Sequence, residues 1–207
     1  MSHLRGLLGV LICLAGSCQV WGQAAQPVAV IDHEYEIKAK YLYYLAAFIA
    51  PTSQASTAGD SGKEIRIAVI GEAPQDFRAT ASLPAHSTIK DQNSPRTVKW
   101  QYFKSLAEFQ AEYPREAGRF PRFVFLVGSS SGTKLDEVVT GLAEHVGDAA
   151  VVIVTEDNQK FRQLAAVNFY EDKAANRVRM QVRKSSLSSR NLTALPAFLA
   201  SPAVLPY

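Results

Sequence analysis

The chain has 207 residues, and its 22 Lys and Arg against 19 Asp and Glu leave a formal charge of only +3. A balance this close to neutral gives no electrostatic case for a nucleic-acid partner. Both cysteines, Cys13 and Cys18, fall in the first 20 residues, so a chain cleaved behind them holds no disulfide and must be stabilised by its core.

The opening residues read as a secretory signal. Arg5 precedes the apolar run Leu7 to Ala15, which is shorter than the roughly 20 residues a membrane span needs. Small residues gather at Gly22, Ala24 and Ala25. We therefore expect residues 1–22 to be a signal peptide and the mature chain to be periplasmic. Ala15-Gly16-Ser17-Cys18 resembles a lipobox, so a lipoprotein anchored at Cys18 is the lesser alternative. Removing 22 residues leaves 185, enough for one ordinary domain. We expect an extended segment at 23–31, one α/β domain over 32–202 with a polar linker at 52–63, and a tail at 203–207.

Asp32 to Ile49 carries a helical pattern, with Asp32 as N-cap and Pro51 as terminator. Ile37, Tyr41, Tyr44, Leu45, Phe48 and Ile49 form the expected buried stripe. Leu42 and Tyr43 fall off it: either they are candidate surface contacts for a partner, or the helix is covered on two sides and they belong to the core. Glu64 to Ile70, Thr97 to Tyr102, Arg122 to Val127 and Ala149 to Val154 read as strands. Helices are expected at Asp76 to Ser82, Ser105 to Glu112, Thr133 to Val146 and Gln159 to Leu164. Ala166 to Tyr170 and Arg177 to Val182 read as a hairpin, and Ser185 to Arg190 as a last helix ending at Asn191. The alternation predicts an α/β fold: a single-domain, largely parallel doubly wound sheet with flanking helices and a C-terminal antiparallel hairpin.

Gly128-Ser129-Ser130-Ser131-Gly132-Thr133-Lys134 matches the G-x-S-x-G pattern of a nucleophilic serine. Its chemistry needs a histidine within reach of Ser130. His145, the only histidine that follows, stands at the far end of the next predicted helix, about 18 Å away at 1.5 Å per residue. The segment also misses the spacing of a phosphate loop, so a tight turn with a capped helix is the simpler reading. His33, His86 and His145 are scattered, which argues against a metal. No catalytic, cofactor-binding or metal-binding residue is assigned. Between Lys160 and Arg190, eight Lys or Arg face only Glu171 and Asp172. Arg177, Arg179 and Arg183 share one strand parity, and with Lys184 they are candidate contacts for an acidic partner. The plainer reading is a solvated edge strand guarded by charge.

Three stretches then resemble the YfiR-like family of small periplasmic proteins. Tyr35-Glu36-Ile37-Lys38-Ala39-Lys40-Tyr41-Leu42-Tyr43-Tyr44-Leu45-Ala46-Ala47-Phe48 is similar to the family's opening helix. Ile65-Arg66-Ile67-Ala68-Val69-Ile70-Gly71 resembles its first strand. Phe123 through Thr155, with Phe161, Val167-Asn168-Phe169 and Arg177-Val178-Arg179-Met180, is similar to its closing half. Ala50-Pro51 stands where the family usually has Trp-Pro, and Ala165-Ala166 where it has Gly-Gly. The resemblance implies a regulator that binds the periplasmic sensory part of an inner-membrane diguanylate cyclase and holds it inactive. The implied partner is that membrane sensor, with no nucleic acid, and a homodimer stays open. The alternative from another class is a receptor for a small solute, with a pocket at the strand ends.

Overall fold

The computed structural model describes residues 33–52, 63–91, 94–128, 132–157 and 160–207. The expected signal peptide, the N-cap Asp32, Ser130 and most of the expected linker lie outside them. In chain order the elements are α1 (Glu34–Phe48), β1 (Ile49–Pro51), β2 (Glu64–Ile70), α2 (Gln75–Ala81), β3 (Thr88–Asp91), β4 (Ser94–Phe103), α3 (Leu106–Glu112), β5 (Phe123–Leu126), α4 (Gly132–Val146), β6 (Val152–Glu156), β7 (Val167–Asp172), β8 (Arg177–Val182), α5 (Lys184–Ser188), β9 (Leu192–Ala194), α6 (Pro196–Leu199) and β10 (Val204–Pro206).

Eight strands form one sheet in the order β10-β8-β7-β6-β5-β2-β4-β3. The pairs β7–β6, β6–β5, β5–β2 and β2–β4 are parallel, as is β10–β8. The hairpin β7–β8 and the pair β3–β4 are antiparallel. The expected fold class is thus the observed one. β1 and β9 make a separate antiparallel pair, Ile49 opposite Ala194.

Alternation along the central strands divides their side chains between two cores. Ile65, Ile67, Val69, Phe123, Phe125, Val152 and Val154 pack with α1, α2, α5 and α6 on the first face. Ala68, Ile70, Val124, Leu126 and Ile153 pack with α3 and α4 on the second. The chain after β2 leads to α2 on one face, and that after β5 to α4 on the other. These adjacent strands approach closely at their ends: Gly71 has φ +111, and a Cβ there would lie 2.6 Å from the Val127 carbonyl oxygen. Only glycine fits.

Three expectations are corrected. The buried side of α1 is turned by one residue, about 100° on a 3.6-residue helix: it is Lys38, Ala39, Leu42, Tyr43, Leu45 and Ala46, while Tyr44 is 50% exposed. The described part of Gln159 to Leu164 is turn and irregular chain: Arg183 takes the carbonyls of Arg162 and Gln163, and the Arg162 side chain leaves the segment for Asp157 and Asp136. Residues 203–207 are no tail: Val204–Pro206 pair with Met180–Val182 as the sheet's outermost strand. The hairpin is therefore internal.

Candidate functional site

β5 and β6 end side by side, and the N-terminal half of α1 lies over those ends on the first face. This brings Lys38 against Glu156, the last residue of β6. They are 3% and 4% exposed. Taking such charges out of water costs several kcal/mol per ion unless each is matched and hydrogen-bonded. Here both are. Lys38 Nζ donates to Glu156 Oε2 at 2.5 Å and also to the Glu34 carboxylate one turn earlier. The Tyr35 ring lies 4.5 Å from the same ammonium, a cation–π contact. Glu156 Oε1 accepts from the Tyr35 hydroxyl at 3.0 Å and from the Gly128 backbone N–H at 2.6 Å. A cleft of about 210 Å³ opens beside this centre, lined by Tyr35, Lys38, Glu156, Phe169 and Glu171 among others.

Strand parity sends the neighbours of Glu156 to the other face, where a second polar cluster forms. Thr155 Oγ1 donates to Asn168 Oδ1 at 2.9 Å, and Asn168 Nδ2 donates to Asp157 O and to Gln181 Oε1. Arg162 spans Asp157 and Asp136 of α4, at 2.6 Å to each. Arg183 donates to the carbonyls of Arg162 and Gln163, both at 2.6 Å, and its guanidinium stacks 4.2 Å from the Phe161 ring.

The expected contact residues fall into two groups. Leu42 is fully buried and Tyr43 is 9% exposed, so neither offers a surface to a partner. The Tyr43 hydroxyl donates to Thr88 O at 2.6 Å; burial and the nearby Tyr44 push its phenol up, which keeps the donor protonated. The reason is the turned stripe of α1. On the hairpin, Arg177 is exposed opposite Asp172, and Arg179 Nε lies 2.8 Å from Asp172 Oδ2. Arg183 is committed to the carbonyls of the segment before β7, and Lys184 is exposed at the start of α5.

Sequence reasoning gave no role to Tyr35, Lys38 or Glu156. The available signal was the Tyr-x-Ile-Lys stretch of the first helix, with a lysine one residue beside the expected apolar stripe. His86 and His145 each set one ring nitrogen 2.7 Å from a backbone carbonyl, Thr80 O and Tyr113 O. A carbonyl only accepts, so those nitrogens carry protons and tie each ring to the backbone.

Fold and centre together define a doubly wound α/β domain with an ionic seam satisfied from within. The chain belongs to the YfiR/HmsC-like family, whose sequence profile matches residues 35–200. No curated protein matches the chain. The membership points to a regulatory, non-catalytic family and to cyclic-di-GMP signalling in the periplasm. No helix among the described residues is long and apolar enough to cross a membrane.

Proposed function

We propose that this chain is an exported regulator that binds the periplasmic sensory part of an inner-membrane diguanylate cyclase and restrains it by stoichiometric contact. The family match over residues 35–200 carries this reading. Two features support it. The Lys38–Glu156 centre is saturated by internal donors, which suits a structural brace better than a reacting group. The hairpin exposes Arg177 and carries the partly exposed Arg179 beside it, which suits an acidic surface. Pull-down from solubilised inner membrane tests the reading: the expected result is a one-to-one complex with a cyclase, and deletion of the protein raises cyclic-di-GMP. Capture of no membrane sensor would overturn it. Intact-mass analysis of the periplasmic fraction tests export, with cleavage expected near residues 22–25.

A second reading, a small-solute receptor, is favoured by the cleft of about 210 Å³ beside Lys38 and Glu156, at the strand ends where open α/β sheets bind ligands. A ligand that raises the melting temperature of the purified protein supports it.

A further inference from the structure

The second face of the sheet is only partly covered. α3 and α4 pack over β2, β4, β5 and β6, and among the described residues their core takes no side chain from β7, β8 or β10. The first core, by contrast, holds Val167 and Phe169 of β7, Val178, Met180 and Val182 of β8, and Val204 of β10. By alternation the intervening residues Tyr170, Arg177, Arg179, Gln181, Leu205 and Tyr207 stand on the second face. Cross-strand register sets Tyr170 against Arg179, and Gln181 against both Asn168 and Leu205. Gln181 Nε2 donates to the Tyr207 hydroxyl at 3.4 Å, and the Tyr207 ring meets Phe161 at 5.5 Å. Leu205 and Tyr207 nonetheless remain 38% and 63% exposed.

An uncovered antiparallel face usually displays small polar or opposite-charge pairs to water. This one displays two tyrosines and two arginines, residue types enriched at protein interfaces, with a leucine beside them. Its charge is one-sided. Arg177 and Arg179 lie on it, Lys173 sits in the turn at one end and Lys184 beyond the other, against Asp172 alone. Arg179 pairs with Asp172 at 2.8 Å and stays partly exposed, while Arg177 is exposed.

We infer that the helix-free second face of β7, β8 and β10 is the docking surface for an acidic patch of a protein partner, with Tyr170, Leu205 and Tyr207 as its apolar anchors. The inference rests on the regulatory reading above and adds to it the third strand and the aromatic pair. Acidic groups on the partner would pair with Arg177 and Arg179, while the rings and Leu205 lose water at the centre of the contact.

The test titrates purified protein against the periplasmic domain of the cyclase that co-purifies with it. Tyr207→Ala and Leu205→Asp are each expected to weaken binding by about tenfold or more. Tyr44→Ala, which removes another exposed tyrosine elsewhere, should leave binding unchanged. Both face variants should fold like the wild type by circular dichroism, since neither position is buried. Wild-type binding by both face variants overturns the inference and leaves the regulatory reading standing. Failure of the wild type to bind any cyclase domain overturns both. Salt-sensitive binding to phosphatidylglycerol vesicles in place of a protein also overturns the inference, in favour of a membrane contact.

Discussion

Lys38 and Glu156 are 118 positions apart in the chain, yet their side chains meet at 2.5 Å with neither more than 5% exposed. This pair joins α1 to the strand ends. It also reaches, through Gly128, the segment that leads into α4.

Breaking the pair on one side should therefore be expensive. Lys38→Met leaves Glu156 buried without a counter-charge, and the expected loss is about 3–5 kcal/mol. Lys38→Met combined with Glu156→Leu should regain part of that loss, because Glu156 is no longer left as a buried charge; Glu34, less deeply placed, keeps its own. Equilibrium urea unfolding of the two single variants and the double variant gives the coupling directly. A loss below about 1 kcal/mol in Lys38→Met would mean that water reaches the pair.

The turned face of α1 gives a second expectation. Leu42→Ala should cost about 2–5 kcal/mol by opening a cavity, and any loss of partner binding should follow stability. Tyr44→Ala should change stability by no more than about 0.5 kcal/mol. Thermal melts of the two variants side by side decide it. The reverse ranking would restore the stripe read from the sequence.

Charge reversal on the hairpin tests the electrostatic half of the contact. Arg177→Glu with Arg179→Glu should slow association and weaken its dependence on salt. Fold stability should shift by about 1 kcal/mol at most, since the Arg179–Asp172 pair is partly exposed. In cells the result should be release of the cyclase and more cyclic-di-GMP. Stopped-flow association at two salt concentrations provides the measurement, and unchanged rates would remove the hairpin from the interface.

Ser130→Ala should leave regulation intact. His145 holds Tyr113 O through Nε2 and packs between the rings of Phe109 and Phe120, and His86 is tied to Thr80 O. These contacts hold both rings in the packing of the domain. The replacement should cost no more than a cap-sized ~1 kcal/mol. Selective loss of activity in a folded Ser130→Ala protein would revive hydrolase chemistry.

What could be read in advance follows from the length scale of each signal. The central strands announced themselves as apolar runs because both of their faces are buried; Glu64–Ile70 and Arg177–Val182 have the expected bounds. The left-handed conformation expected at Asn191 was legible, with φ 55, although α5 stops earlier, at Ser188. β1, β9 and β10 were not legible. Three residues carry no period, and Ile49 finds Ala194 only through the folded whole. The turned face of α1 escaped for a related reason: a lysine in a helix reads as solvent-facing until its carboxylate is known, and Glu156 lies far along the chain.

The position of β10 bears on how the protein survives export and crowding. It lies outside β8, with Tyr207 N donating to Val182 O at 2.7 Å and Met180 N to Ala203 O at 2.9 Å. The sheet thereby ends on three residues that include Pro206, which has no N–H to offer a neighbouring chain. At the other end it stops on the four residues of β3. Both margins are poor templates for strand recruitment. Cutting the chain before Val204 would strip that guard and bare the six-residue ladder of β8, so the first symptom of truncation should be self-association of a still-folded domain.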